Sequence, residues 1–220
     1  MQYSSSKENH IKAIFHLQES DGLVTTNELA AALQTKPASV TDMLKKLKQQ
    51  KLLNYERYKG FKLSSEGKKV ALQIIRKHRL WEYFLVEKLQ FGWDEVHEIA
   101  EELEHISSVR LIDRLDEFLG FPKTDPHGDP IPDKNGKLIE IMQVPLSLLP
   151  ENTPAIVSGI GDQSQEMLEL LNHKQIAIGT RLEITRKFSF DQSMELKLKQ
   201  SPVITLSEPV AKNIFVRYDQ

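Results

Sequence analysis

Along the chain, Ile11, Ile14 and Phe15 recur at helical spacing and predict a first helix. Thr25 and Glu28 then stand three apart, ahead of the apolar Leu29, Ala30 and Leu33. That is a capping-box pair, so a short second helix is expected to start there and stop near Gln34. Pro37 sits where the first turn of a helix tolerates proline. Behind it Val40, Met43, Leu44 and Leu47 fall at i, i+3, i+4 and i+7, the core-facing stripe of a third helix. Short strands are expected at 52–55 and 61–63. Ser64 or Ser65 can cap a long helix over about 66–89, which Phe91, Gly92 and Trp93 interrupt. Helices at about 94–106 and 108–119 follow, the second ended by Gly120 with Pro122 beyond it. Pro122, Pro126, Pro130, Pro132, Pro145 and Pro150 mark a connector, with 138–144 expected to pack on a neighbour. From Thr153 the pattern changes to short apolar runs at 155–157, 176–178, 182–184, 194–198 and 214–216, and alternation in the later ones indicates strands. Residues 164–171 read as one short helix and 209–214 as a turn.

The fold class is therefore mainly α with a small β part. A winged helix-turn-helix is expected over 1–75, a helical domain with its Pro-rich connector over 76–145, and an SH3-like barrel over 146–220.

The outer face of the third helix carries Ser39, Asp42, Lys45, Lys46 and Gln49. Short groups at its start, with Lys36, Pro37, Ala38, Ser39 and Thr41, can approach base edges. Lys45 and Lys46 further along suit phosphates, the distribution a DNA recognition helix needs. Thr26, opening the second helix, belongs to the same candidate surface. Arg57, Tyr58 and Lys59, ahead of Gly60, make the turn between the strands a basic wing placed to touch the DNA backbone. The plain alternative is a three-helix structural domain with a solvated lysine face.

Charge sharpens the division. Residues 1–75 hold 12 Lys/Arg and 7 Asp/Glu, whereas 76–145 hold 9 and 15. A basic head suits a polyanion and an acidic middle suits a cation. The chain contains no cysteine, which excludes disulfides, thiolate metal sites and thiol catalysis. No apolar run is long enough for a membrane span, and the first residues enter an amphipathic pattern directly, so a cytoplasmic location without membrane contact is expected.

The titratable residues concentrate in the middle. His78 and Glu82 are four apart, and His97, Glu101, Glu104 and His105 sit at i, i+4, i+7 and i+8 of the next helix. Each set is expected to share one helix face. Imidazole and carboxylate without thiolate suit Mn²⁺ and Fe²⁺ and also accept Zn²⁺, Co²⁺ or Ni²⁺. A single His–Glu pair is commonly an ordinary hydrogen bond; the combined pattern is far less common by chance. His127, between Asp125 and Asp129, adds ligand potential to the connector.

With these motifs in place, the sequence resembles the diphtheria toxin repressor and manganese transport regulator family of metal-dependent repressors, in its three-domain form. The resemblance runs through ENHIKAIFHL, KPASVTDMLKKLKQQKLL, YERYKGFKLSSEGKK, RKHRLWEYFL, VHEIAEELEHISSV and DPHGDPIP. It implies a homodimer held by the helical domain, binding a double-stranded operator that controls metal-homeostasis genes, with a divalent metal as corepressor. It implies a primary metal centre at Asn9, His78, Glu101, Glu104 and His105. It implies ancillary ligands at Glu82 and His97, completed by Asp125 or His127 and more loosely by Asp162 or Glu166. Iron-responsive members carry cysteine at the position of Glu101 and manganese-responsive members carry glutamate, which favours Mn²⁺ over Fe²⁺. Binuclear manganese regulators use two acidic ligands on the first helix, where this chain has Asn9 and Lys12. One primary and one ancillary ion are therefore expected.

The mechanism expected is a metal-linked change of geometry. Without metal the middle carboxylates repel one another and the first helix is untied; with metal they are joined. Two rival classes are a metal-dependent hydrolase, which lacks an evident base, and a metal-independent adaptor using the SH3-like domain. That domain is also a candidate for an intramolecular peptide contact.

Overall fold

The computed structural model describes residues 3–56, 59–198 and 202–218, with the side chains of 19–21 also outside the description. The chain divides into two compact units. The first comprises residues 1–81, 101–120 and 132–138; the second comprises 82–100, 121–131 and 139–220.

In the first unit, α1 (Ser5–Asp21), α2 (Thr26–Ala32) and α3 (Pro37–Gln49) precede the hairpin of β1 (Leu53–Glu56) and β2 (Gly60–Leu63). The Thr25 side chain accepts from Glu28 N, and the Glu28 carboxylate accepts from Thr25 N at 2.7 Å, so both halves of the capping box form. Pro37 opens α3, and Val40 and Leu47 on its apolar stripe are fully buried. They join Ile11, Ile14, Leu29, Phe61 and Ile74 in one core. β1 and β2 pair antiparallel with Leu53 opposite Leu63 and Glu56 opposite Gly60. Val24 and Phe61 exchange both backbone hydrogen bonds, at 2.8 and 2.9 Å, which anchors the hairpin to the segment before α2. Gly60 is needed there. Its φ is +139° and an added Cβ would come within 2.6 Å of Val24 O.

The long helix α4 (Ser65–Leu89) is capped by Ser64, whose hydroxyl accepts from Gly67 N at 3.0 Å. Its residues up to 81 belong to the first unit. There the buried Arg76 holds α6 (Val109–Phe118) through Asp113 and Asp116, at 3.2 and 2.8 Å. A guanidinium shared by two carboxylates satisfies its charge where water cannot.

Between them, α5 spans only Val96–Leu103, shorter than the expected 94–106. Ile106 N bonds Leu103 O at 3.2 Å, so Glu104 and His105 lie in a turn beyond the helix and not on its continuing face.

The second unit is built on a six-stranded antiparallel sheet in the order β3–β8–β4–β5–β6–β7. Its strands are β3 (Val144–Pro145), β4 (Pro154–Ile160), β5 (Arg181–Lys187), β6 (Met194–Leu198), β7 (Ile204–Leu206) and β8 (Ile214–Arg217). Bulges fall in β4 between Val157 and Gly159 and in β5 between Ile184 and Arg186, where a small barrel must curve. Helix α7 (Gln165–His173) buries Met167, Leu168 and Leu171 against the sheet, and α8 (Glu208–Lys212) fills the site expected as a turn. The apolar run 176–178 is no strand. Ile176 N bonds Leu171 O at 2.9 Å, so the run closes the end of α7 and drops Ile176 into the core. Among the described residues no helix is long and apolar enough to cross a membrane.

Candidate metal centres and nucleic-acid interface

In the first unit three elements bring donors together: α1, α4 and the turn after α5. Glu104 is fully buried. Its Oε2 lies 2.7 Å from His78 Nδ1 and 2.8 Å from Lys12 Nζ. Lys12 also reaches Glu101 Oε1 at 3.1 Å. Burial alone would raise the Glu104 pKa, but the His78 ring and the Lys12 ammonium outweigh it and hold the carboxyl below its ordinary value. The Lys12 ammonium between the two carboxylates offsets the repulsion expected between them. Lys12 bridges Glu101 and Glu104 and already ties α1 to them.

His105 Nδ1 lies 2.7 Å from Glu8 Oε2. A carboxylate oxygen accepts, so Nδ1 carries a proton, and Nε2 is the ring nitrogen left on the other side. That Nε2 faces Glu104 Oε1 across 3.9 Å. Glu104 Oε1 is buried and has no hydrogen-bond partner among the described residues, and neither has the buried Asn9 Oδ1. Asn9 sits on α1 between Glu8 and Lys12, both of which turn to this cluster. Buried acceptors without donors are costly, and a divalent cation is the partner that nitrogen and oxygen lone pairs have in common. In donor type, nitrogen and oxygen without sulfur, the set suits such an ion. Glu8 was not singled out from the sequence, because a lone glutamate in a first turn reads as a dipole contact; only the approach of His105 gives it work.

The ancillary candidates in the second unit form a second group. Glu82, Asp125 and His127 are all buried and offer ligand atoms within 4.8 Å of one another. Asp125 Oδ1 accepts from His127 N and Asp129 N at 2.8 and 3.0 Å, which shapes the turn. Gly128 completes it at φ +93°, against the Ser158 carbonyl. His127 Nε2 lies 2.8 Å from the Trp93 carbonyl, so it is the protonated nitrogen. Its Nδ1 is buried, lacks a hydrogen-bond partner among the described residues, and lies 4.0 Å from Glu82 Oε2. Trp93 stacks on the His127 ring, and its Nε1 donates to Asn172 Oδ1 at 2.6 Å. His97 Nδ1 is 3.3 Å from Glu82 Oε1 and half exposed. Asp162 and Glu166 are exposed and stand outside the triplet, with Asp162 Oδ1 accepting from Ser164 N. Trp93, read in sequence as a helix breaker, could not be recognised as the residue that orients His127.

On the DNA-reading side, Lys36, Pro37, Ala38, Ser39, Thr41, Lys45 and Lys46 are all exposed on α3 or its cap, and Lys59 is exposed on the wing. Thr26 is half-buried at the start of α2 and lines, with Thr41, Lys45, Lys48 and Tyr55, a cavity of about 280 Å³. Thr41 Oγ1 donates back to Pro37 O at 2.9 Å, and Lys45 pairs with Asp42 at 3.1 Å. Arg57 and Tyr58 lie outside the described residues.

A winged helix-turn-helix, a cysteine-free cluster of buried donors and a small β-barrel together define a metal-dependent transcription regulator. The comparisons agree. The chain matches the iron dependent repressor N-terminal DNA binding domain over residues 2–61 and the iron dependent repressor metal binding and dimerisation domain over 64–133. It matches the FeoA domain over 144–218. It is 37% identical over 120 residues to the HTH-type transcriptional regulator MntR of Oceanobacillus iheyensis, covering 54% of this chain and 81% of the relative. It is 35% identical over 122 residues to the MntR of Bacillus subtilis, covering 54% and 84%. Among solved structures it resembles a manganese-dependent transcriptional repressor in complex with manganese, with a TM-score of 0.85 and 32% identity over 96% of this chain and 99% of that one. It also resembles ScaR with bound Cd²⁺, with a TM-score of 0.80 and 32% identity over 97% and 99%. The chain belongs to the iron-dependent repressor family of metal-dependent transcriptional repressors, in its three-domain form.

Proposed function

We propose that this chain is a homodimeric repressor that a divalent cation, Mn²⁺ in preference to Fe²⁺, activates to bind an operator before metal-homeostasis genes. The supporting observation is the buried Glu104 carboxylate with His78, His105 and Glu101 around it and unpaired acceptor atoms at Glu104 Oε1 and Asn9 Oδ1. Asn9, His78, Glu101, Glu104 and His105 would hold the primary ion; Glu8 keeps His105 in the tautomer that points Nε2 at it. Glu82, Asp125, His127 and His97 would hold an ancillary ion, with Asp162 and Glu166 as outer candidates.

The ion supplies positive charge to a buried anionic cluster. The residues of the chain do the rest. Glu8, Asn9 and Lys12 lie on α1, which carries the helix-turn-helix, so anything that orders their contacts with His78, Glu104 and His105 constrains where α3 sits. A coupling of about 1–3 kcal/mol would change operator affinity roughly 5–150-fold. Ser39 and Thr41 read base edges; Lys36, Lys45, Lys46 and the wing residues Arg57, Tyr58 and Lys59 engage phosphates. The domain assignment follows: 1–75 for DNA, 76–145 for metal and dimerisation, 146–220 for an SH3-like domain open to an intramolecular peptide contact. We read the chain as a cytoplasmic regulator and not an enzyme, since the polar groups of both centres serve as ligands or as their supports.

The test is calorimetric titration of the chain with Mn²⁺. Glu104→Ala should abolish tight binding at the primary centre while leaving the ancillary isotherm. Unchanged binding would remove the reading.

A further inference from the structure

The concave surface between α2, α3 and β1 holds two residues outside the base-reading and wing sets, Lys48 and Tyr55. Thr41, Lys45 and Lys48 fall at i, i+4 and i+7 of α3, so they share one helix face. At 1.5 Å per residue they span roughly 10 Å along the axis. The rim thus runs from a hydroxyl at the base-reading end of α3 to an ammonium in its last turn. Among the described residues, the lining carries two ammonium groups and no carboxylate.

Tyr55 reaches the same rim from the hairpin. On β1 it shares a face with Leu53, and it stands opposite Phe61 on β2. Leu53 and Phe61 are buried and form the floor, whereas Tyr55, at the edge of this apolar face, is 57% exposed. The Lys48 ammonium lies over its ring, 5.4 Å from the centroid. A ring face attracts a cation without neutralising it. Lys45 differs, since its ammonium pairs with Asp42 at 3.1 Å. Glu56, the next residue on β1, points to the other face of the hairpin and pairs with Lys62 at 3.3 Å.

We propose that Tyr55 positions Lys48 to hold a backbone phosphate of the operator, with the adjoining deoxyribose against the apolar floor. This rests on α3 being the recognition helix, and it extends the DNA-contacting surface onto the strand β1. A lysine ammonium on its flexible four-carbon stem samples many positions. The ring narrows them before DNA arrives, so less side-chain freedom is lost on binding. The contact carries no sequence information, because phosphates are the same beside every base.

The test uses the full chain with Mn²⁺, a duplex selected from random sequence under those conditions, and a scrambled duplex beside it. Affinity is measured over a series of salt concentrations. Lys48→Met keeps the apolar stem and drops the charge, and Lys48 is exposed, so the fold survives the change. It should weaken binding to both duplexes severalfold and lower the slope of log affinity against log salt by about 0.9 per chain bound. Tyr55→Leu should weaken both duplexes alike, and Tyr55→Phe, which keeps the ring, should recover most of that loss. The double variant Lys48→Met, Tyr55→Leu should lose no more than Lys48→Met alone. An unchanged salt slope in Lys48→Met overturns the proposal. So does a loss confined to the selected duplex, which makes Lys48 a base reader. A Tyr55→Phe chain as weak as Tyr55→Leu, or losses that add in the double variant, overturn the positioning role. If the native chain selects no duplex at all, the recognition-helix reading fails and this proposal with it.

Discussion

At the scale of single residues, burial and partner chemistry decide what each group does. Glu28 is an exposed carboxyl whose pKa is held below its ordinary value, first by the Thr25 backbone N–H and then by the Thr25 hydroxyl. A carboxyl with a depressed folded pKa contributes stability that is fully present above its unfolded value of 4.5 and lost as pH falls through the lower folded value. Glu28→Gln should therefore flatten the loss of melting temperature below pH 4.5, which a series of thermal melts would read. Gly128 makes a sharper case. Its positive φ and its closeness to the Ser158 carbonyl leave no room for a Cβ. Gly128→Ala should displace His127 and weaken the ancillary ion while sparing the primary one, as two-site titration would show. At this scale the sequence was partly legible. His78, Glu101, Glu104 and His105 stand out by type and spacing. Glu8 and Trp93 do not, because each acts through a neighbour distant in sequence, Glu8 on His105 and Trp93 through its carbonyl on His127.

At the scale of elements, the helices were legible wherever capping and apolar periodicity agreed. The Thr25–Glu28 box and Pro37 located α2 and α3, and Val40 and Leu47 turned out fully buried. Leu47→Ala should cost about 2–5 kcal/mol, measured by denaturant unfolding. What periodicity could not foresee is where a helix stops for a tertiary reason. Residues 94–106 carry a helical pattern throughout, yet α5 ends at Leu103, and the turn after it delivers Glu104 and His105 to His78 and Glu8. Likewise the apolar run at 176–178 closes α7 because a helix end needs an apolar cover as much as a sheet does. The wing belongs to this scale too. Gly60→Ala should break the Val24–Phe61 exchange, loosen the hairpin and lower operator affinity. Normal binding with an intact Val24 amide in hydrogen exchange would contradict that account.

At the scale of the molecule, the proposed DNA-reading surface and the candidate metal ligands share α1, whose Glu8 and Lys12 contact His105 and Glu104 in the first unit. Dimerisation would put two such surfaces on one duplex, about 34 Å apart along its axis. On α6, Leu111 and Phe118 are one heptad apart and exposed at 43% and 65%, an apolar stripe suited to a subunit contact. Phe118→Glu should shift the sedimentation coefficient toward that of a single chain. The charge division of the sequence predicted which half meets DNA, but the two compact units do not follow it. α4 contributes residues to both, with His78 in the first unit and Glu82, one turn on, in the second. The central claim is that metal governs DNA binding. It is tested most directly by measuring the affinity for a duplex selected in the presence of Mn²⁺, with and without the ion, for the native chain and Glu104→Ala. The account predicts a gain of roughly 5–150-fold with Mn²⁺ in the native chain and none in the variant. Equal affinity of the metal-free and metal-loaded native chain would contradict it.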